Sequence, residues 1–570
     1  MSRHGPRAGI LIAAVLLFLV FNWRAYDGYF HDDDFDNAVW MERGDPDRFQ
    51  RTILSPVYEP GNFRPTGYYF FHTLTRWHGL EFPKWVAWVH ALHVLTAVLV
   101  WLGARRLGAG VGPATLGALF FLLHAAILEV VWLPMYAFDL LCGLFAALSF
   151  LLYTHGRTLL SFAAFWLAFK AKEPALALPL ALLGYEVFHG GKRWLRTAPF
   201  FLVAACFGMG GLLANRSVDS LNTYYISLKA SDLWNTGLFY AGEVWLLPFG
   251  GLLTLALPIL FREPAVRIGV AFAVLSLVPV LILPNRISSA YLYLPLVGLA
   301  WAIAGLATGK RIVVAGALAA LWFPWNLHVL RQRQERLLVL ADENRNYVRA
   351  IERSVPRLPR DAIFVYSSHP EQFHLWGIRA ALSRYTGRGD AELLSIEEER
   401  GFQALQRPGC VRLTWIPEAR DLAIGIRPRG IATPSYLKLG EPDSIYDLGQ
   451  GWHRIEHGTR WVESFGTAWL RRPAQASQFE LSLEIDSQVM AGKGYLRVGV
   501  IQGKEILGTH SWDQAGEQAV RWPVAPGKPG LAGIEIHFEP DFLKMPETVR
   551  PLAVRVTSFG FIDERPPAAP

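Results

Sequence analysis

The residues best equipped for chemistry sit near the start of the chain, in His31-Asp32-Asp33-Asp34-Phe35-Asp36. Adjacent carboxylates repel one another, so such a run needs solvent, a cation or a cationic partner. One of them beside an acceptor hydroxyl makes a general base. Asp32 with Asp34, or Asp34 with Asp36, instead offers oxygen ligands to a divalent metal. A solvated acidic turn is the plain alternative. Cations recur at three later places. Phe63-Arg64-Pro65-Thr66-Gly67 carries a guanidinium, whose planar fork matches phosphate oxygens. Lys170-Ala171-Lys172-Glu173-Pro174 carries two lysines, either to meet an anionic phosphate or to form a structural pair with Glu173. Leu283-Pro284-Asn285-Arg286 places an arginine next to an apolar run, and a charge at such a depth is a functional candidate. His90, His93, His124 and Glu129 lie in or beside apolar runs, where a hydrogen-bonded packing role is the ordinary expectation.

The elements that must hold these groups are membrane helices. Of 570 residues, 52% are hydrophobic and only 18% charged, with a mean hydropathy of +0.23. A soluble chain is about a quarter charged. From Gly9 to Leu330 we count eleven apolar runs: 10–23, 85–107, 114–133, 138–153, 159–169, 175–188, 198–214, 238–261, 268–283, 291–307 and 312–330. A bilayer span takes roughly 20 such residues. The first run has a basic start, but Phe21-Asn22-Trp23-Arg24 is no small-residue cleavage site, so it reads as a retained anchor. The 21 Trp and 35 Phe suit interfacial belts and sugar-stacking surfaces.

The net charge of +7 is a topology signal. Alternate short loops carry Arg3 and Arg7, Arg105 and Arg106, Arg157, Lys192 with Arg193 and Arg196, Arg262 and Arg267, and Lys310 with Arg311. The bias of Lys and Arg to cytoplasmic loops places the N-terminus inside. Eleven crossings then put residues 331–570 outside the plasma (inner) membrane. This placement argues against a nucleic-acid partner. Cys142, Cys206 and Cys410 are the three cysteines, too few for a disulfide framework. The expected organisation is a polytopic helical domain over 1–330, with an outer loop at 24–84 that carries the acidic run. A helical and α/β region over 331–445 follows, then a β-sandwich over 446–570. Strands are expected at 362–367 and 411–416 and a helix at 375–385. From Phe479 the period changes to two, with Phe479, Leu481, Leu483 and Ile485 alternating with polar residues.

By that topology the acidic run, Arg64, Lys172 and Arg286 all face outward. The segments FHDDDF, FRPTGYYFFHTL, AKEPALALPLALL and RISSAYLYLPLVGLAWA resemble, in that order, the GT-C membrane glycosyltransferases. The branch they resemble is that of the protein O-mannosyltransferases and their bacterial relatives. The resemblance implies a polyprenyl-phosphate-linked sugar donor, a protein, lipid or glycan acceptor, and inversion at the anomeric carbon. It also implies an aspartate base among Asp32, Asp33 and Asp34, with Asp33 or Asp34 preferred. Arg64, Lys172 and Arg286 are then donor-phosphate ligands, and Glu173 and Tyr291 support them. It implies no resident cofactor, although Asp32, Asp34 and Asp36 leave a divalent ion open. In this sequence Ile287–Ala290 separate Arg286 from the Tyr291-Leu292-Tyr293 run, which relatives bring almost together. Gly451-Trp452-His453, Glu456, Arg460-Trp461 and Phe538-Glu539-Pro540 resemble the jelly-roll modules of some bacterial glycosyltransferases, which implies carbohydrate contact. The competing classes are a non-enzymatic carrier or flippase for lipid-linked sugars and a membrane-anchored carbohydrate-binding protein. A carrier would place its ionisable groups near span midpoints, and an anchor needs far fewer spans.

Overall fold

The structure, a computed structural model, describes residues 5–563 apart from 58–63, 190, 192, 215–221, 390, 397, 406, 408, 418, 427–432, 488–489, 492–493, 526, 540–542, 545–550 and 553. The chain divides into two compact units, Met1–Asp342 and Glu343–Pro570.

The first unit is helical throughout. All eleven apolar runs lie on helices, and two are sharply bent. Val111–Leu122 turns into Ala125–Trp132 by 41°, and Ala230–Trp245 into Gly250–Leu260 by 90°. Among the described residues five helices are long and apolar enough to cross a membrane, or up to seven if each bent pair is one span. The runs at 159–169, 175–188 and 198–214 form the shorter helices Thr158–Ala171, Leu178–Phe188 and Ala198–Ala214. The last run does not stop where its polarity changes. It continues as one helix, Arg311–Ser354, of 44 residues.

The helix Tyr293–Leu306 forms the hub of this unit. A Cβ at Gly298 would meet the Gly269 carbonyl oxygen at 2.4 Å, and one at Gly269 would meet that of Gly298 at 2.4 Å. Reciprocal glycines thus let Tyr293–Leu306 and Pro264–Leu281 pack backbone to backbone, the device that joins helices where lipid supplies no hydrophobic drive. His93 stands behind the hub, its Nδ1 3.0 Å from the Tyr293 hydroxyl and its Nε2 3.2 Å from the Leu122 carbonyl. His124 Nδ1 accepts from the Ala126 amide at 3.1 Å and its Nε2 contacts the Val244 carbonyl at 3.0 Å. Both histidines pack rather than face a site.

The described part of the stretch 24–84 is folded, not an open loop. It forms the helices Asp32–Glu42, Pro46–Leu54 and Pro65–His78. The acidic run starts the first of these because negative charge is favoured at a helix N-terminus. His31 and Asp34 close a reciprocal capping box there. Phe35, Ala38 and Val39, spaced one turn apart, are buried. Pro46 and Pro65 open the other two helices with their fixed φ. Tyr58, Glu59 and Phe63 lie outside the described residues.

The second unit joins a small α/β layer to a sandwich. Leu393–Ser395, Phe364–Tyr366, Val411–Ile416 and Asp421–Ile426 form one sheet in that order, the first two pairings parallel and the last antiparallel. The helix Leu375–Thr386 accompanies it. One sandwich sheet runs Glu505–Trp512, Leu496–Gln502, Gly530–Glu539, Phe465–Arg472. The other runs Gly516–Pro523, Gln478–Ile485, Val554–Ile562, Thr459–Val462, Trp452–Glu456. Phe479, Leu481, Leu483 and Ile485 meet Val498, Val500, Ile534 and Ile536 in one core. Trp452 belongs to that core: its ring stacks 5.4 Å from that of Phe559, and its Nε1 donates to the Thr467 carbonyl at 2.7 Å. Trp461 donates to Glu456 at 3.2 Å and lies under the Arg555 guanidinium. Pro540 lies outside the described residues.

Candidate active site

Arg64, Lys172–Glu173 and Arg286–Tyr291 come from three separate parts of the first unit, and the fold gathers them. Arg64 precedes the helix Pro65–His78, whose first turn lies flat on the Phe138 ring. A Cβ at Gly67 would meet that ring at 2.1 Å, so the close approach needs glycine. The Arg64 guanidinium consequently sits 5.9 Å from the centre of the same ring. It donates two-pronged to Glu173, Nη2 at 3.0 Å to one oxygen and Nε at 3.2 Å to the other. Burial alone would lower the Arg64 pKa, but the Glu173 charge outweighs it and the group is held above its usual range. Glu173 responds inversely: burial would raise its pKa, and the Arg64 charge holds it below the ordinary carboxylate value.

Lys172 is extended, with φ −162° and ψ 147°. Pro174 prevents the helix Thr158–Ala171 from continuing through this point. In extended chain, successive side chains point opposite ways. Glu173 thus reaches Arg64 while Lys172 turns to Asp139, with Nζ 2.6 Å from Oδ2. The Lys172–Glu173 structural pair considered from the sequence is not formed, because each has a different partner. Both members of the Lys172–Asp139 pair are buried, at 7% and 6% side-chain exposure. Asp139 occupies the first turn of the helix Ala137–Thr154, where the helix dipole favours a carboxylate. Nothing in the sequence singled it out beyond a lone acidic residue at the head of an apolar run.

Tyr291 links Lys172 to Arg286. The ammonium lies 4.5 Å over the Tyr291 ring, and Arg286 Nε donates to the Tyr291 hydroxyl. The four residues between Arg286 and Tyr291 therefore do not keep them apart: a helical turn at Ser289–Leu292, capped by Ser288, folds the arginine back. On its far side Arg286 stacks 4.5 Å from the Tyr224 ring. The Asn285 amide donates to the Asn222 carbonyl at 3.0 Å, and the Ser227 amide to the Ile282 carbonyl at 2.9 Å. These bonds tie the two loops together and hold Tyr224 in place. Among the described residues Arg286 has no carboxylate partner, unlike Arg64 and Lys172.

The acidic run splits in two because it is helical. Residues two apart point to opposite sides of a helix, and residues three apart share a face. Asp34 is fully buried and its Oδ2 accepts from the His31 amide at 3.0 Å. Asp33 is exposed and Asp36 half-buried, one turn apart on one face. Burial first, and the Asp33 charge second, push the Asp36 pKa up to about 6. Burial raises the Tyr68 pKa, and Arg64, Asp33 and Asp36 lie close enough for their charges to act on it as well. Asp34 is buried at the cap, and Asp36, two residues on, points to the other side of the helix, so these two do not converge on one point. Among the described residues no group of three or more His, Cys, Asp or Glu is arranged to hold a metal.

No protein-family model and no curated protein matches the chain. Among solved structures it is similar to ArnT from Cupriavidus metallidurans in the apo state, with TM-score 0.42 and 13% identity, over 72% of this chain and 94% of that one. It is similar to ArnT bound to undecaprenyl phosphate, with TM-score 0.43 and 12% identity, over 73% and 94%. It is also similar to the arabinofuranosyltransferase AftD from Mycobacteria, with TM-score 0.41 and 11% identity, over 100% of this chain and 61% of AftD. At that level of similarity the site has to stand on its own geometry.

Proposed function

We propose that the chain is an integral membrane glycosyltransferase of GT-C type, taking a sugar from a polyprenyl-phosphate donor at the outer face of the membrane. The observation that carries this reading is the convergence of the motifs. Arg64, Lys172 and Arg286 gather around Tyr291 and Glu173, and Tyr68 lies within reach of the charges of both Arg64 and the Asp33–Asp36 face. The transfer has simple requirements. The acceptor hydroxyl oxygen attacks the anomeric carbon and gives its proton to a carboxylate. The bond from that carbon to the phosphate oxygen breaks, and its electron pair stays on the phosphate. A carboxylate ionising near pH 6 is a better base than an ordinary aspartate, yet is still charged at neutral pH. Asp33 and Asp36 fill this role in our reading, with Asp34 as the helix cap that orients them. Arg286 seats the phosphate and stabilises the charge that develops on it. Arg64, clamped by Glu173, fixes the neighbouring wall. No resident metal is required by these steps.

The test is direct. The protein, purified into nanodiscs, is given polyprenyl-phosphate sugars with a panel of protein, lipid and glycan acceptors, alongside profiling of lipid-linked sugars after gene deletion. Release of polyprenyl monophosphate that depends on both donor and acceptor supports the reading. Binding without any transfer across the panel, and an unchanged lipid-linked pool, refutes it in favour of a carrier.

A further inference from the structure

The pair Lys172–Asp139 does something the transfer itself does not require. An ammonium buried to this degree needs an anion, since an isolated buried charge is strongly disfavoured. The Tyr291 ring supplies part of that compensation, but Asp139 supplies a full opposing charge at 2.6 Å. The other cation, Arg64, is cancelled in the same way by Glu173. Only Arg286 remains without a carboxylate among the described residues, one tyrosine ring away from Lys172. Of the three cations, Arg286 is thus the one whose charge no carboxylate among the described residues cancels by direct pairing.

This balance matters because the phosphate changes charge during the reaction. In the donor it is a diester with one negative charge. Cleavage leaves a monoester, which carries about −1.5 to −2 at neutral pH. A site with an uncancelled Lys172 would hold the product more tightly than the donor. Resting on the transferase reading, we propose that Asp139 is a positioning residue that masks Lys172, so that the spent lipid phosphate is released. In this role Asp139 acts through the ammonium it cancels rather than on the sugar or the acceptor. Its place in the first turn of Ala137–Thr154 puts it where the helix dipole favours a carboxylate. Cys142, one turn further along, donates its thiol to the Lys172 carbonyl at 3.7 Å and holds the backbone of the masked lysine.

The experiment measures polyprenyl monophosphate binding and its inhibition of turnover for the full chain in nanodiscs. Asp139→Asn keeps the shape and removes the charge. We expect it to bind polyprenyl monophosphate about tenfold more tightly, to tighten less toward the sugar-loaded donor, and to lower kcat while KM for donor falls. A residue that merely supports the fold would weaken both ligands. The double variant Asp139→Asn with Lys172→Gln leaves no orphan charge, so it serves should the single variant not fold. Its net charge equals that of the wild type, and its product affinity is expected within about threefold of it. A double variant that loses product binding altogether overturns the masking idea and makes Lys172 a direct ligand. An Asp139→Asn protein that binds product no tighter than wild type, while wild type does bind it, overturns this inference alone. A wild type that binds no polyprenyl monophosphate overturns the transferase reading and this inference with it.

Discussion

Asp36→Asn should make the protein more stable at neutral pH while lowering its activity. Asp36 is half-buried on the face it shares with Asp33, and its pKa rises from 3.8 to about 6, through burial and then the Asp33 charge. Each tenfold change in ionisation is worth 1.36 kcal/mol, so folding opposes the charged form by about 3 kcal/mol. The folded pKa is the higher one. The protonated acid thus favours folding fully below about pH 4, and that contribution is lost as pH rises through about 6. Asparagine never ionises and escapes the loss. The variant should exceed the wild type in stability above pH 6 by up to about 3 kcal/mol, with the difference vanishing below about pH 4. Thermal unfolding of both proteins in the same detergent, from pH 3.5 to 8, gives the difference curve. The other titrating groups cancel because both proteins carry them. In the same samples turnover of the variant should drop by at least about 10²-fold, the low end of general-base catalysis. A variant less stable than wild type at pH 7, or a difference that does not change between pH 4 and 6, would refute the electrostatic account of this face. Normal turnover would remove Asp36 from the chemistry.

Asp34→Ala removes the cap on the His31 amide and should cost about 1 kcal/mol of stability, seen as a lower unfolding midpoint, with donor affinity unchanged in the folded fraction. Arg64→Lys loses the two-pronged contact to Glu173 and should raise the donor KM by about tenfold, read from initial rates; an unchanged KM would mean that Glu173, not the donor wall, is all that Arg64 serves. Lys172→Ala leaves Asp139 as a bare buried anion and should abolish donor binding by more than tenfold, with part of it restored when Asp139→Asn is added; equal loss in both proteins would show that the pair is not electrostatically coupled. Residues 343–570 possess their own core and should express as a soluble, cooperatively unfolding protein without transferase activity, monitored by circular dichroism and chromatography. A periplasmic phosphatase fused after residue 563 should be active if that unit lies outside, and silent if the orientation is reversed.

The sequence carried the membrane helices because their signal is local: twenty apolar residues declare themselves without knowledge of the rest of the chain. The sandwich strands were readable for the same reason, since Phe479, Leu481, Leu483 and Ile485 alternate and all four are buried. The stretch 24–84 looks like loop in the sequence because its aromatic and acidic residues mask its helical period. Phe35, Ala38 and Val39 carried the helical spacing all along, and the three aspartates before them were a helix start. That single change of local structure separates Asp34 from Asp33 and Asp36, which adjacency in sequence had made equivalent. The counter-ions were harder still. Arg64 pairs with a residue 109 positions away, and Lys172 with one 33 away on another helix. A buried cation does require an anion, so a partner for Lys172 was demanded by its setting. Which carboxylate answers is decided by Pro174, which stops one helix and turns Lys172 and Glu173 to opposite sides. Asp139 follows from the site's charge balance once that geometry is known, and it is this balance, rather than the number of cations, that sets how firmly a phosphate can be held and released.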